Sequence, residues 1–332
     1  MKVQLLTVEK DEAELRLDRW FKQHFPGLGH GRLEKLLRTG QVRVDGKRAK
    51  AGVRLQPGQQ VRVPPTASAA APQTVQQNSR PAARTNEQDV AWLRDAVLHR
   101  DDWVIALNKP AGLAVQGGSR QPRHLDAMLD ALRFEADERP RLVHRLDKDT
   151  SGVLLLARSR RAAQALAAAF RDGAVRKTYW AAVAAVPRLA RGRIDMPIGK
   201  QLGVAREKMA GDPRGGAEAI TDYAVAGTWK KQAAWLALRP LTGRTHQLRV
   251  HCAQIGHPIL GDGKYGGKAA FLRGQPEIKR LQLHAREIAL PHPADGTTLR
   301  VVAPLPGHME RSWEELGFAM AKGQRISDSL DD

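Results

Sequence analysis

"VHRLDKDTSGVLLLA", residues 143 to 157, combines a charged half with an apolar half. The apolar half, Val153 to Ala157, is a short continuous run that follows Gly152, which is typical of a strand buried inside a sheet. Such a strand carries the segment before it to the edge of the core. We therefore expect Asp147 and Asp149 to lie at that edge, in a chain that is otherwise strongly basic.

The composition of the 332-residue chain points to a polyanionic partner. Lys and Arg total 54 against 35 Asp and Glu, which gives a formal net charge of +19. Basic side chains bind nucleic acid by releasing counterions from its phosphates, and an anionic membrane surface is the other candidate. No apolar run approaches the roughly 20 residues of a membrane span, and the single cysteine, Cys252, excludes an internal disulfide and a Cys-rich zinc site. We predict a cytoplasmic, monomeric protein that binds RNA or DNA and no membrane.

Residues 1–64 predict a small domain of two helices and a hairpin-rich sheet. "RLDRWFKQHF" and "GRLEKLLRTG" place apolar residues at helical spacing, and "QVRVDGKRAKAGVRLQPGQQVRV" alternates apolar and basic residues around two turn signals. Between residues 32 and 62, only Glu34 and Asp45 oppose a run of cations. The cations are Arg32, Lys35, Arg38, Arg43, Lys47, Arg48, Lys50, Arg54 and Arg62.

A one-sided excess of charge is either a solvated surface or a nucleic-acid contact. Arg32, Lys35 and Arg38 recur every third residue and share one helical face. We favour nucleic-acid contact, because so few carboxylates interrupt the run. The RNA-binding residues that we predict in this domain are Arg32, Lys35, Arg38, Arg43, Lys47 and Arg48.

After this domain the sequence predicts a flexible linker, a larger domain and a tail. Residues 65–88 have no large apolar residue except Val75, so they cannot bury enough surface to offset the entropy of ordering. Residues 89–310 mix strand patterns with an amphipathic helix at "RRAAQALAAAFRDG", without regular strand–helix alternation. The predicted fold class is α+β with a mixed, mainly antiparallel sheet. Residues 311–332 predict one short helix and an acidic, disordered end.

Histidines near Cys252 raise the question of a metal site. "THQLRVHCAQIGHP" is instead typical of a helix, with Thr245 as its N-cap and Gly256 at its end. On that helix His246 and His251 are not four residues apart, so we predict no metal. "GLGHGR" and "GDGKYGGK" lack the spacing of dinucleotide and phosphate loops, and we predict no cofactor.

Four longer motifs follow one another in order along residues 89–306. "HRLDKDTSGVLLLA" is followed by "RKTYWAAV", then by "PLTGRTHQLRVHCAQIGHPILGDGKYG" and "LQLHAREIALPHP". In this order they resemble the RluA-type pseudouridine synthases, and residues 1–64 resemble the S-four-type RNA-binding module. The "GLAVQGGS" loop is most similar to the RluC branch, which acts on uridines of 23S ribosomal RNA. The resemblance implies the pseudouridine synthase fold and an isomerase that needs no cofactor.

The resemblance also implies roles for individual residues. Asp147 matches the family's catalytic aspartate, and Arg249 matches the arginine that pairs with it. Tyr179 matches the tyrosine that stacks on the target base. Arg145 resembles the arginine that enters the RNA stack as the uridine is flipped out.

Four further residues are expected to support this site. Leu283 would help to wall the pocket, and Lys109, at the start of a Gly-rich loop, would position RNA. His144 and Asp149 would hold the catalytic loop without reacting. Without the motifs, Tyr179 would be interpreted as a core aromatic residue, and either aspartate as a turn or salt-bridge residue.

The predicted function is conversion of specific uridines, in 23S ribosomal RNA, to pseudouridine, with Asp147 as nucleophile or base. Two other classes remain open at this point. A non-catalytic RNA-binding ribosome-assembly factor has no need of Asp147, Tyr179 and Arg249 together. An RNA glycosidase that releases the base would leave free uracil and a strand break.

Overall fold

The computed structural model describes residues 3–9, 12–65, 87–117, 123–201, 208–275, 277–328 and 330. The chain divides into two compact units, Met1–Ala82 and Ala83–Asp332. Most of the predicted linker 65–88 lies outside the described residues, and a helix begins at its last positions. Among the helices of the described ranges, none is both long enough and apolar enough to cross a membrane.

Within residues 3–9 and 12–64, the first unit contains two helices and a small sheet, as the N-terminal pattern predicts. Its elements are β1 (Gln4–Thr7), α1 (Leu17–His24), α2 (His30–Arg38), β2 (Arg43–Val44), β3 (Lys47–Arg48) and β4 (Gln60–Val63). The strand order is β1-β4-β2-β3. Trp20 and Phe21 of α1 lie in one apolar cluster with residues of α2 and the sheet. Asp45 and Gly46 have positive φ values of 48° and 74°, which a two-residue hairpin turn requires.

The second unit is built on a large mixed sheet. Its elements are α3 (Glu87–Asp95), β5 (Val97–Arg100), β6 (Val104–Lys109), a 3₁₀ helix (Leu125–Leu132), β7 (Arg141–Leu142), β8 (Ser151–Ala157), α4 (Arg160–Arg171), β9 (Arg176–Ala184), β10 (Arg191–Asp195), β11 (Ile198–Lys200), β12 (Met209–Gly211), β13 (Ile220–Trp229), β14 (Ala233–Pro240), α5 (Gln247–Gln254), a second 3₁₀ helix (Gly267–Ala270), β15 (Leu283–Pro291), β16 (Thr298–Val302), α6 (Gly307–Glu315) and α7 (Met320–Asp328).

The strands of this sheet follow the order β10-β13-β14-β9-β15-β8-β6-β5, with β16 paired to β15 and β7 paired to β8. Among the described strands, every pair in this sheet is antiparallel except β8 with β15. The predicted α+β class with a mainly antiparallel sheet is confirmed.

Strand β8 lies near the middle of the sheet and is buried on both faces. Leu154 and Leu156 pack in one apolar cluster with the first 3₁₀ helix. Val153 and Leu155 pack in another cluster with residues of α4. Burial on both faces explains why this strand has a continuous apolar sequence instead of an alternating one.

Strands β8 and β15 approach each other closely at the start of β8. Only two residue pairs form this parallel join, Ser151 with His284 and Gly152 with Ala285. Gly152 has a φ of +112°, and a Cβ atom there would overlap the backbone carbonyl of Ala285. Glycine is therefore required at position 152 both for its backbone conformation and for space.

A buried histidine also links the two strands. The hydroxyl of Ser151 donates to Nδ1 of His284 at 2.9 Å, and Nε2 of His284 donates to the carbonyl of Ala303 at 3.3 Å. Burial is the main reason that the pKa of His284 is lowered to about 3. The imidazole is therefore neutral at physiological pH, as these two hydrogen bonds require.

The prediction of one short helix followed by a disordered end in residues 311–332 is wrong in its second part, because a further helix, α7, occupies Met320–Asp328. Helices α6 and α7 pack on the sheet, and Trp313 is 1% exposed in a cluster with Trp180 and Trp235. The indole N–H of Trp180 donates to the hydroxyl of Ser327 at 2.8 Å. The apolar side chains of this segment cover two buried tryptophans. The apolar surface that is buried in this way stabilises the helices, although the segment ends in acidic residues.

Replacing Gly152 with alanine is expected to destabilise the second unit severely, because the new Cβ atom meets the backbone of β15. Gly112→Ala is the matched control, since Gly112 also has a positive φ, +91°, but no atom lies within 4 Å of its Cβ position. Backbone strain alone costs about 1–2 kcal/mol. Urea unfolding should show at least twice this loss for Gly152→Ala, or no folded protein. Equal losses for the two variants would contradict the close approach.

The buried His284 is expected to make the fold sensitive to acid. Its folded pKa of about 3 lies below the ordinary value of 6.5, so between these pH values the unfolded chain binds a proton that the folded chain does not. Stability is therefore lost as the pH falls through this window. From pH 7 to pH 5, His284 should contribute about 2 kcal/mol of this loss.

The variant His284→Gln tests this contribution, because an amide does not titrate. It should be less stable at pH 7, yet it should lose about 2 kcal/mol less than the wild type between pH 7 and pH 5 in urea unfolding. The other buried histidines are present in both proteins, so their contributions to the pH dependence of stability cancel in the comparison. The same pH-dependent loss in both would show that His284 is not responsible.

Candidate active site

A cavity of about 560 Å³ opens where β8 and β15 begin and β14 ends. Three stretches of chain form most of its wall: the loop before β8, the first part of β9, and the turn between β14 and α5. The wall contains all of the predicted catalytic-domain site residues except Lys109. These are Arg145, Asp147, Tyr179, Arg249 and Leu283.

The loop that carries Asp147 is held by Lys109. The ammonium group of Lys109 donates to the backbone carbonyls of Pro110, Leu113 and Lys148 at 2.8, 2.9 and 3.1 Å. Lys109 is 1% exposed. The expectation that Lys109 contacts RNA is therefore wrong, because all three of its donors are used inside the protein. Its role is to fix the segment beside Asp147.

The charge on Lys109 is balanced by neighbouring carboxylates. Burial lowers the pKa of Lys109 to about 8, and the negative charges of Asp149 and Asp147 oppose this effect. Lys109 thus remains mostly protonated at neutral pH and can keep its three hydrogen bonds. Asp149 is exposed and interacts with the loop through this charge.

His144 joins the same loop to strand β8. Its Nε2 accepts the backbone N–H of Leu155 at 2.8 Å, and its ring stacks on Phe170 with 4.7 Å between ring centroids. Burial, with a smaller contribution from the charge of Lys177, lowers the pKa of His144 to about 3. The ring is neutral at physiological pH and is available as an acceptor.

Tyr179 and Leu283 form the apolar part of the wall. Tyr179 lies on β9, where it pairs with Leu238 of β14 on one side and Ala285 of β15 on the other. Burial and, secondarily, the charge of Asp147 raise the pKa of Tyr179. The phenol is therefore neutral at physiological pH, and it offers an aromatic face and a hydroxyl that can donate a hydrogen bond.

Arg249 does not form the expected ion pair with Asp147. Its guanidinium instead binds both carboxylate oxygens of Asp262, at 2.8 and 2.6 Å, in a buried bidentate pair. The charge of Asp147 still helps to raise the pKa of Arg249, although the hydrogen bond and charge of Asp262 contribute more and burial opposes all three. Arg249 therefore interacts with the charge of Asp147 at a distance, while its hydrogen bonds are made to a different carboxylate.

The N-cap of α5 is His246, not Thr245 as predicted. Nε2 of His246 lies 3.8 Å from Oδ2 of Asp147, and among the described residues Asp147 forms no other side-chain ion pair. From the sequence alone, His246 was a candidate only as a metal ligand. Within the described ranges no three His, Cys, Asp or Glu side chains converge as a metal site. The signal that could have identified His246 as a residue of the active site is its position three residues before Arg249.

A second residue that sequence reasoning missed is Lys177. It precedes Tyr179 by two positions on β9, so both side chains lie on the same face of the strand and both line the cavity. Burial lowers its pKa. Among the described residues its ammonium group has no hydrogen-bond or ion-pair partner. It adds a positive charge to the wall.

Three of the six predicted RNA-binding cations of the first unit line a groove within that unit. Lys35 and Arg38 of α2 and Arg48 of β3 line this groove, whose volume is about 610 Å³. Arg32 and Lys47 are also exposed. Arg43 differs from the other five, because its guanidinium donates to the carbonyls of residues 40 and 46 and thus holds its own hairpin.

Comparison with known proteins identifies the family. Residues 103–254 match the family model described as RNA pseudouridylate synthase. The chain is 34% identical over 317 residues to Ribosomal large subunit pseudouridine synthase C of Salmonella typhi, which covers 95% of this chain and 97% of that protein. It is 35% identical over 318 residues to the protein of the same name from Escherichia coli K12, with the same coverage.

Two solved structures share the fold over about two thirds of the chain. Human RNA Pseudouridylate Synthase Domain Containing 4 is 29% identical with a TM-score of 0.57, and the match covers 69% of this chain and 95% of that chain. Human RNA Pseudouridylate Synthase Domain Containing 1 is 25% identical with a TM-score of 0.50, covering 68% and 95%. Together with the near-full-length relatives, these matches show that the chain belongs to the RNA pseudouridine synthase family.

Proposed function

We propose that this pseudouridine synthase modifies uridines of 23S ribosomal RNA in the cytoplasm, and that Asp147 is its catalytic carboxylate. The observation that carries the proposal is the convergence of Asp147, Tyr179 and Arg145 on one cavity. The relatives that match along 95% of the chain are named for the large ribosomal subunit, which supports the choice of RNA.

Pseudouridine formation detaches uracil from ribose at nitrogen 1, turns the base over and rejoins it through carbon 5. The reaction is an isomerisation, so it requires no net oxidation and no external source of energy. A carboxylate at the sugar acts either as a nucleophile at the anomeric carbon or as a base at the neighbouring carbon. Asp147 borders the cavity and remains partly accessible to a ligand, which suits either role.

The detached base must be held without access to water, because water would convert the isomerase into a hydrolase. Tyr179 and Leu283 provide an aromatic face and an aliphatic wall for a flat uracil ring. A glycosidase would instead need a water molecule positioned beside the sugar. Membership of the pseudouridine synthase family favours isomerisation over release of the base.

Arg145 supports the step that brings the uridine into the cavity. Its side chain is exposed at the cavity wall, two residues before Asp147. Enzymes that act on a base inside RNA must first extrude it, and the vacated position has to be filled. Arg145 is placed to enter the RNA stack while the base moves toward Tyr179.

The exposed cations of the first unit contribute affinity for RNA that does not depend on the nucleotide sequence. Lys35, Arg38 and Arg48 surround a groove, where they can contact consecutive phosphates. Phosphate contacts of this kind position RNA and carry little sequence information. An assembly factor that only binds RNA would use this groove without the catalytic cavity.

The variant Asp147→Ala should abolish pseudouridine formation, because no other carboxylate lines the cavity among its described residues. Carbodiimide-dependent reverse-transcription stops in 23S RNA from cells that lack the wild-type protein provide the readout. Cells with Asp147→Ala should lack the same stops as the deletion strain. The control is Asp102→Asn, which changes a carboxylate that is 99% exposed and lies outside the cavity wall, and it should restore them.

Restoration of the stops by Asp147→Ala would disprove the catalytic assignment. Release of free uracil by the purified wild-type protein would instead support a glycosidase. Binding of RNA without any change in the stops after deletion of the protein would support the assembly factor.

Neutralising Lys35 and Arg38 together should weaken RNA binding and reduce its salt dependence. Loss of two phosphate contacts to single-stranded RNA lowers the slope of log affinity against log salt by about 1.4. The matched control replaces Lys230 and Lys231, two exposed cations between β13 and β14. Filter binding over a series of salt concentrations measures both doubles. If the two double variants have equal slopes of log affinity against log salt, the groove is not part of the RNA-binding surface.

A further inference from the structure

The side chain of His246 lies between the catalytic carboxylate and a tyrosine. Its Nε2 is 3.8 Å from Oδ2 of Asp147, and its Nδ1 is 2.6 Å from the hydroxyl oxygen of Tyr265. The two rings meet edge to face, with 5.5 Å between their centroids. Each ring nitrogen of His246 thus faces a polar atom, one in the reaction cavity and one behind it.

The backbone holds His246 in a conformation that few residues adopt. Its φ of 57° and ψ of 21° lie in the left-handed region, which costs about 1–2 kcal/mol for a residue with a Cβ atom. The side chain of Gln247 fixes the turn, because its Oε1 accepts the hydroxyl of Thr242 and the N–H of Arg244, while its Nε2 donates to the carbonyl of Ile220. Strain that is held in this way is common at functional sites.

The hydrogen bonds behind His246 determine which ring nitrogen carries the proton. The backbone N–H of Met209 donates to the hydroxyl oxygen of Tyr265 at 3.3 Å. The hydroxyl hydrogen of Tyr265 is then directed to Nδ1 of His246, its polar neighbour at 2.6 Å. Burial, reinforced by the charges of Arg249 and Lys264 and opposed by Asp147 and Asp262, lowers the pKa of His246. The neutral ring therefore carries its proton on Nε2, the nitrogen that faces Asp147.

Tyr265 is itself fixed by the buried ion pair. Its backbone N–H donates to Oδ1 of Asp262 at 3.3 Å, and its ring lies under the guanidinium of Arg249 at 5.0 Å from the ring centroid. Arg249 is bound in turn to both oxygens of Asp262. The pair thus orients Tyr265, and Tyr265 orients His246.

We infer that His246, held by Tyr265, is a positioning residue that donates its Nε2–H to Oδ2 of Asp147 when the uridine is bound. The inference rests on the proposed role of Asp147. The separation of 3.8 Å is longer than a hydrogen bond, and catalytic contacts of free enzymes commonly shorten in the substrate complex. The bond occupies Oδ2 and directs Oδ1 toward the ribose.

The variant His246→Ala should lower the single-turnover rate of pseudouridine formation by about 10- to 100-fold, because a misdirected carboxylate reacts slowly. The substrate is 23S RNA from cells that lack the protein, with enzyme in excess. RNA affinity and thermal stability should not change. His246→Gln restores an N–H donor near the position of Nε2 and should recover most of the rate. Failure of the Gln variant to recover it, with its fold intact, would overturn the role as donor.

Tyr265→Phe separates the hydroxyl from the ring, because phenylalanine still packs under Arg249. Its rate should fall less than that of His246→Ala, and the double variant should be no slower than His246→Ala alone. The matched control is Tyr223→Phe, which removes the hydroxyl of a β13 tyrosine that is outside the cavity wall and should have no effect. Independent, multiplicative losses in the double variant would contradict the action of Tyr265 through His246.

Asp147→Ala measured in the same assay distinguishes the two proposals. If Asp147→Ala is inactive while His246→Ala retains the wild-type rate, the inference about His246 fails and the proposed function stands. If Asp147→Ala retains activity, the proposed function fails, and the inference fails with it. The inference is supported if both substitutions reduce the rate and glutamine at position 246 rescues it.

Discussion

The parallel join between β8 and β15 is the constraint on which the site depends. In a sheet whose other described pairs are antiparallel, it brings the starts of two strands to the same edge. The loop with Asp147 precedes one strand, and Leu283 begins the other. Because β9 is the other neighbour of β15, Tyr179 lies at the same edge. The absence of a side chain at position 152 allows this approach.

Buried charged side chains then fix the positions of the loop and the aromatic ring that surround Asp147 at this edge. Lys109 uses its buried ammonium group to gather three carbonyls around the catalytic loop. Arg249 and Asp262 form a buried pair that orients the ring of Tyr265. Buried pairs of this kind add little to stability, because desolvation offsets the attraction between the charges. We interpret both as devices that place Asp147 and its neighbours.

The elements with strong local patterns could be predicted from the sequence. The apolar run of β8, the helices of the first unit and the end of α5 at Gly256, with its φ of +82°, follow from local spacing and turn chemistry. The motifs were also enough to select Asp147 and Tyr179 as residues of one cavity. These features depend on residues close together in the chain, which is where sequence patterns are informative.

Features that depend on distant partners could not be predicted in this way. A lysine at the start of a Gly-rich loop has the same local pattern whether it contacts RNA or, like Lys109, binds carbonyls inside the protein. Nothing in the spacing assigns Arg249 to Asp262 instead of Asp147. The left-handed His246 and the packing of α6 and α7 on Trp180 and Trp235 likewise arise only from tertiary contacts.

The most direct measurement of the central claim is a structure of the Asp147→Asn variant bound to RNA that contains the target uridine. We expect a uridine outside the RNA stack, with its base against Tyr179 and its ribose beside residue 147. Nε2 of His246 should lie within hydrogen-bond distance of the side-chain oxygen at residue 147. A uridine that remains stacked in RNA, bound away from this cavity, would show that the cavity is not the site of base modification.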